Sequence, residues 1–327
     1  MFGLAGLLGL LMVGMSVDFT GANDDEEQDQ NAPEPEEDDL TVPSDAPDLL
    51  LEGTDGADTL IGGEADETIM GFMGHDVLHG GDGSDTIKAG AGNDIVDGAG
   101  DDDTLIGNGG DDTLKGGDGS DLIQGGQGND AVHGQSGDDT LFGEGGDDEI
   151  LGADGNDMLN GGEGNDGLMG GAGDDTLVGG AGADVLNGND GNDTIAGVNI
   201  DDDGNLIDDQ IRDYLNGSAG QDTLIGGSDD NLHGGDDADT FVVGDWIQAE
   251  NAATIEDFDG AEDTLVVLYD DAAHPDPVLS FQADADNGIL MLDGLPLADL
   301  PGVTDLNLDD VSLVAQSTIS AAMGQAA

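Results

Sequence analysis

Aspartate recurs at every ninth residue from 58 to 193, with Glu67 as the one replacement in the series. Between 53 and 196 the chain divides into 16 units of nine residues, and the first place is glycine and the sixth aspartate in 15 units each. The eighth place is leucine, isoleucine or valine in all 16. Carboxylates repeated at fixed spacing beside glycine turns are oxygen donors that suit a hard cation.

The nine-residue unit predicts the element that positions these carboxylates. Glycine-rich places one to six are typical of a turn, since glycine adopts positive φ without penalty. Places seven to nine predict a three-residue strand whose eighth residue faces the core. Such a strand needs neighbours above and below, so two units close one coil and the stack reaches about 35–40 Å. We expect an all-β, right-handed parallel β-roll, a β-solenoid with two units per coil.

Stacking brings the sixth-place carboxylates into two rows, one at each edge of the roll. Carboxylates about 5 Å apart repel strongly unless a cation lies between them. Turn carbonyls add further oxygen atoms, and a flexible shell of six to eight oxygens is typical of calcium rather than magnesium. The predicted metal ligands are Asp58, Asp76, Asp85, Asp94, Asp103, Asp112, Asp121, Asp130, Asp139, Asp148, Asp157, Asp166, Asp175, Asp184, Asp193, Asp222 and Asp239.

The composition restricts the partners of the chain. It holds 3 basic and 76 acidic residues among 327, for a formal net charge of -73 at pH 7. A surface of this kind does not neutralise phosphates, which excludes nucleic acid as a partner and disfavours an anionic membrane. Self-repulsion opposes a compact state, so we expect folding to depend on cancelling the charge. The chain has no cysteine, which excludes disulfides and thiolate metal sites.

The units resemble the calcium-binding repeats-in-toxin (RTX) nonapeptide, G-G-x-G-x-D-x-U-x, also known as the haemolysin-type calcium-binding repeat. The resemblance implies that several calcium ions are each held between successive turns of one edge by sixth-place carboxylates and turn carbonyls. The segment at 238–267 is similar to the sequence that follows the repeats in type I-secreted bacterial proteins. This implies export through the type I secretion apparatus and folding outside the cell.

The remaining chain is organised around this repeat block. The predicted domains are an apolar segment at 1–18, an acidic disordered linker at 19–48, the roll at 49–196, an insertion at 197–216, terminal repeats at 217–242, a β-rich C-terminal cap at 243–314 and a disordered tail at 315–327. The 16 uncharged residues at 2–17 are short for a membrane span. They are interpreted as a membrane-associating or targeting segment, a cleaved signal, or a segment that docks on the folded protein.

Two weaker patterns complete the survey. The stretch NIDDDGNLIDDQ at 199–210 imitates an EF-hand loop but begins with Asn and ends with Gln, which favours a polar hairpin insertion. An Asn-Gly pair at 287–288 predicts a hairpin turn. The histidines form no site, and neither an H-E-x-x-H nor a G-x-S-x-G motif occurs.

The sequence therefore predicts a calcium-binding protein, secreted or surface-associated, that folds on extracellular calcium. The alternatives are a secreted enzyme, for example one acting on polysaccharide, and an adhesin. In either case the active or binding region would lie at 243–314.

Overall fold

The computed structural model describes residues 39–41, 49–200, 206–247 and 251–316, which lie in one compact unit at 35–327. The predicted apolar segment at 1–18 lies outside the described residues, as does nearly all of the predicted tail. Within the predicted linker at 19–48, the structure describes only Asp39–Thr41, which forms a strand paired with Thr59–Ile61. Within the described part of the chain, no helix is long and apolar enough to cross a membrane.

Alternate units contribute strands to two large sheets, as the two-unit coil predicts. In spatial order the first sheet comprises Asp39–Thr41, Thr59–Ile61, Val77–Asp82, Ile95–Gly100, Thr113–Asp118, Ala131–Ser136, Glu149–Asp154, Gly167–Ala172, Val185–Asp190, Tyr214–Ala219, Asn231–Asp236, Ala253–Ile255, Leu295–Pro301, Asn287–Leu292 and Leu279–Ala283. The second sheet comprises Leu50–Glu52, Thr68–Met73, Thr86–Ala91, Thr104–Gly109, Leu122–Gln127, Thr140–Gly145, Met158–Glu163, Thr176–Ala181, Thr194–Ala196, Thr223–Ile225, Thr240–Gly244, Thr264–Tyr269 and Val311–Ala315.

Parallel pairing keeps equivalent places of the unit in register. Ile123 pairs with Leu105 on one side and with Leu141 on the other, each 18 residues away. The eighth-place residues of both sheets face inward, and every one from Leu60 to Ile195 is at most 2% exposed. These side chains form one hydrophobic core between the sheets, which confirms the parallel β-roll.

The strands within the repeats are mostly six residues long, so the prediction of three-residue strands is wrong for them. Each continues from places seven to nine into the first three places of the next unit, as in Leu122–Gln127. The first-place residue is left out of the strand pairing. Gln124 pairs with Phe142 and Gly126 with Glu144, whereas Gly125 between them has no paired residue. The second-place residue that follows has positive φ, for example 119° at Gly126, and the chain then passes to a strand of the other sheet.

The roll continues into the C-terminal region. Ala253–Ile255 and Thr264–Tyr269 add a strand to each sheet, and Leu295–Pro301 and Val311–Ala315 add the next two. Leu279–Ala283 and Asn287–Leu292 form the predicted hairpin, but Asn287 and Gly288 begin its second strand instead of making the turn. A 3-10 helix, Leu308–Asp310, precedes the last strand.

Candidate metal centres

Two rows of carboxylates follow the edges of the roll. At each step the backbone N–H of one sixth-place residue donates to Oδ1 of its counterpart on the next coil, as from Asp94 to Asp112 at 2.8 Å. One row contains Asp58, Asp76, Asp94, Asp112, Asp130, Asp148, Asp166, Asp184, Asp213 and Asp230. The other contains Glu67, Asp85, Asp103, Asp121, Asp139, Asp157, Asp175, Asp193, Asp222, Asp239 and Asp263. All 17 predicted ligands therefore lie in the two rows.

In most of these residues the second carboxylate oxygen is buried without a hydrogen-bond donor, whereas Oδ2 of Asp58 accepts from the N–H of Thr54 and Oδ2 of Asp230 accepts from that of Gly227, both at 2.6 Å. The predicted aspartates are at most 4% exposed. Oδ2 has no partner in Asp76, Asp85, Asp94, Asp103, Asp112, Asp121, Asp130, Asp139, Asp148, Asp157, Asp166, Asp175, Asp184, Asp193, Asp213 and Asp222. Because a buried anionic oxygen without a donor is costly, each of these atoms needs a positive partner.

First-place glycines leave space beside these oxygens. A Cβ built on Gly107 would collide with Oδ2 of Asp112 and with the carbonyl oxygen of Gly125 on the next coil. The same arrangement recurs at Gly80, where the colliding atoms are Oδ2 of Asp85 and the carbonyl oxygen of Gly98. A carboxylate and a carbonyl oxygen thus face one point, and such a donor set fits a hard cation.

Side chains alone do not complete these sites. Among the described residues, no three histidine, aspartate or glutamate side chains are close enough together to hold a metal ion. Several of the repeated turns instead place one carboxylate next to a backbone oxygen of the next coil, as at Gly80, Gly107 and Gly152. Carbonyl oxygens are ordinary ligands of Ca²⁺, which fills its shell with carboxylates, carbonyls and water.

Burial raises the pKa of the sixth-place carboxyls from Asp76 to Asp239, and the donated N–H from the preceding coil only partly offsets this effect. The pKa is raised to about 6 for Asp85, Asp121, Asp130, Asp148, Asp166, Asp184, Asp222 and Asp239. It is raised to about 7 for Asp103, Asp112, Asp139, Asp175 and Asp230. The cause is loss of hydration, which disfavours the charged form, and a bound cation would reverse it.

The rows include three aspartates that the sequence analysis missed. Asp213, Asp230 and Asp263 continue them beyond the regular repeats. Each stands two residues before a buried leucine, in the D-Y-L, D-N-L and D-T-L triplets, which is the spacing of places six and eight. Insertions and a deletion in the turns hide this spacing from a count in nines.

The weaker patterns also have defined places. Asn199–Ile200 pairs antiparallel with Leu206–Ile207, which confirms the hairpin insertion. In the C-terminal region Nδ1 of His274 lies 2.7 Å from Oδ2 of Asp293, and its Nε2 lies 3.7 Å from Oδ2 of Asp245. These contacts join the loop before Leu279–Ala283 to the end of Thr240–Gly244.

One crystal structure with a similar chain is that of the extracellular lipase LipA from Serratia marcescens, at 18% identity and a TM-score of 0.20. The alignment covers 82% of this chain and 40% of the lipase, so the chain spans less than half of that protein. No curated protein sequence matches.

The sequence profile of the RTX calcium-binding nonapeptide repeat matches residues 50–71, 70–105, 106–141, 133–168, 169–198 and 209–241. These segments together make up more than half of the chain. The match includes all the predicted ligands, and it leaves out residues 199–208, where the hairpin interrupts the roll. The chain belongs to the RTX calcium-binding nonapeptide repeat family.

Proposed function

We propose that this protein binds several calcium ions along the two edges of its roll and folds only when they are bound. The single observation that carries this proposal is the row of buried Oδ2 atoms that have no hydrogen-bond partner. At several regular turns this oxygen lies next to a carbonyl oxygen of the next coil, as Oδ2 of Asp112 lies next to that of Gly125.

The chain's own groups would hold the ions at these turns. The ligands are the 17 predicted aspartates, from Asp58 to Asp239, together with carbonyl oxygens of the glycine turns. Calcium supplies the positive charge that the carboxylates lack, since the sequence has 3 basic residues for 76 acidic ones. First-place glycines such as Gly107 keep the space next to the carboxylate open.

Folding without the cations is opposed by the same geometry. At Asp112 and the other positions with an unpartnered Oδ2, the donated N–H holds only Oδ1, so closing the roll buries Oδ2 uncompensated at one step after another. In the unfolded chain these groups are hydrated and farther apart. Any ion that binds the folded form alone therefore stabilises it by mass action, and many such sites make the gain large.

We propose that this calcium-dependent folding takes place outside the cell. Unfolded at low cytosolic calcium, the chain would pass through a type I secretion channel, and calcium outside would then fold it. We propose a secreted or surface-associated binding protein without catalytic activity. In this proposal residues 2–17 associate with the membrane or cell surface.

Circular dichroism during a calcium titration tests the folding proposal on the full chain. We expect a coil-like spectrum in chelator and a cooperative change to a β spectrum at about 0.1–1 mM calcium, the range of extracellular modules. Magnesium at equal ionic strength is the control, and it is expected to act weakly because it requires a more rigid octahedral shell. A β spectrum that persists in chelator would contradict the proposal.

A further inference from the structure

The hairpin insertion falls inside one turn of the roll. The backbone N–H of Gly197 donates to the carbonyl of Ile225 at 3.1 Å, as that of the first-place Gly53 does to Met70 at 2.8 Å. Gly197 therefore starts a unit. The sixth-place carboxylate of that unit, Asp213, follows only after the hairpin.

This turn presents a different set of oxygens from the regular turns. At Gly197 a Cβ would lie 2.7 Å from Oδ2 of Asp213 and 2.8 Å from Oδ2 of Asp230, so two carboxylates face the point. The carbonyl oxygen in the regular position belongs to Gly226, the first-place residue on the next coil. It accepts a hydrogen bond from Nε1 of Trp246 at 3.0 Å.

The insertion adds a third carboxylate at the rim. At Gly227 a Cβ would lie 2.6 Å from Oδ1 of Asp208 and 3.2 Å from Oδ2 of Asp230. Asp208 is held there because its Oδ2 accepts from the N–H of Ser228 and its Oδ1 from that of Gln210, both at 3.0 Å. Oδ2 of Asp230 accepts from the N–H of Gly227 at 2.6 Å, so each of these oxygens keeps a further lone pair for a cation. Asp209 anchors the insertion by accepting from the N–H of Gly182 at 2.7 Å.

No basic side chain in the described part of this segment offsets the three charges. Arg212 lies nearby in sequence, but it pairs with Asp229 at 3.3 Å and is half exposed. Asp213 is 1% exposed, and its Oδ2, which faces this point, has no hydrogen-bond partner. This unpartnered oxygen marks the point as a place for a cation rather than a mere group of acidic residues.

We infer that Asp213 and Asp230 bind one calcium ion with Asp208 at its rim, and that this interrupted turn binds calcium more tightly than the regular turns. The inference rests on the proposed calcium binding of the roll. Calcium affinity increases with the number of charged ligands, and here a second carboxylate takes the place of a carbonyl. The interrupted turn is therefore the first to fill as calcium is added.

The full chain carries its own probe for this turn, because Trp246 is its single tryptophan and contacts Gly226. Calcium is titrated into wild type while tryptophan fluorescence and circular dichroism are recorded. We expect the fluorescence midpoint at a calcium concentration about tenfold or more below the circular dichroism midpoint. Asp208→Asn should raise the fluorescence midpoint at least about tenfold and leave the β content at saturation unchanged.

Two further variants separate a ligand effect from general loss of charge. Asp229→Asn removes one acidic charge at the exposed partner of Arg212 and should leave both midpoints in place. Gly197→Ala keeps every carboxylate but fills the space between Asp213 and Asp230, and it should abolish the early fluorescence change.

Coincident midpoints in wild type, or equal behaviour of Asp208→Asn and Asp229→Asn, would overturn the tight site. Either result leaves calcium-dependent folding of the roll intact. The absence of any calcium-induced β signal in wild type would instead refute the proposed function.

Discussion

At the scale of single residues, the two oxygens of a sixth-place carboxylate such as Asp130 have different roles. Oδ1 accepts an N–H from the neighbouring coil and fixes the turn, as in Asp130, which accepts from Asp112 at 2.7 Å. Oδ2 is buried beside the first-place glycine without a donor. The residue therefore does structural work with one atom and leaves the other for a cation.

Replacing Asp130 by asparagine tests this division of roles. The amide keeps an oxygen for the N–H of Asp112 but removes the charge, so the roll should still form. We expect the local calcium affinity to fall about tenfold or more, since a charged ligand is lost. Isothermal titration calorimetry at saturating protein should show fewer tight equivalents than wild type.

The matched control is Asp118→Asn, an exposed third-place aspartate of a neighbouring unit. It removes the same charge without touching a predicted ligand and should change the titration little. If the two variants titrate alike, the rows act through overall charge and not through bound ions.

The sequence was most informative at this scale, and the reason is periodicity. An eighth-place residue such as Leu141 can be assigned to the core because side chains alternate between the two faces of a strand, and its neighbours at places seven and nine face the opposite way. Asp213 and Asp230 escaped the count because their turns gain or lose residues. Their hydrogen-bond partners on neighbouring coils depend on how the coils stack, and counting residues along the sequence does not reveal this.

At the scale of the strand, the second place of every regular unit from Gly71 to Gly188, and of the later unit that begins at Gly217, has positive φ, even where it is not glycine. The residues are Phe72, Ala99, Asn108, Gln135, Glu144, Ala153, Asn189 and Ser218. Two of the neighbours of Ala153 in its sheet, Gln135 and Gly171, share its conformation. The stacked strands hold each of these residues there, which explains why turn propensity predicted shorter strands than the structure has.

This strain makes Ala153→Gly a stabilising change. Alanine at φ 94° costs about 1–2 kcal/mol, and glycine removes that cost. Glycine adds about 0.5–1 kcal/mol of unfolded-state entropy, so the net gain is about 0.5–1 kcal/mol. Urea unfolding in saturating calcium should show a higher midpoint.

Ala172→Gly is the control, because Ala172 belongs to the adjacent strand and lacks positive φ. There the substitution should lower the free energy of unfolding by about 0.5–1 kcal/mol, and the urea midpoint should fall accordingly. A loss of stability in both variants would show that the second place is not strained.

At the scale of the whole molecule, the two sheets pass without a break from the nonapeptides into the C-terminal region. Phe241 packs edge-on against Phe258, with ring centroids 6.1 Å apart, and Leu290 and Leu300 extend the same core. The sequence predicted strands there but not their sheet. The reason is irregular spacing. Asp263 follows Asp239 by 24 positions instead of 18, so the spacing does not predict which strands pair.

The raised carboxyl pKa values give the metal-free roll a pH dependence that acts on the molecule as a whole. An unfolded aspartate has a pKa of 3.8, whereas folding raises it to about 6 at Asp85, about 7 at Asp112 and about 9 at Asp213. Between these values the folded form holds more protons than the unfolded form. Its stability is therefore greatest below pH 3.8 and is lost as the pH rises through 6 to 7 and beyond.

In chelator, we expect the full chain to show more β structure at pH 5 than at pH 8. In a calcium titration, we expect the midpoint to lie at a higher calcium concentration at pH 5, because protons compete with calcium for the same oxygens. Circular dichroism at both values measures this, and 1 M NaCl at pH 8 controls for screening of surface charge. Salt reaches exposed carboxylates but not the buried Oδ2 atoms, so it should restore less structure than acid. Equal spectra at the two pH values, or recovery by salt alone, would place the obstacle to folding on the surface and not in the rows.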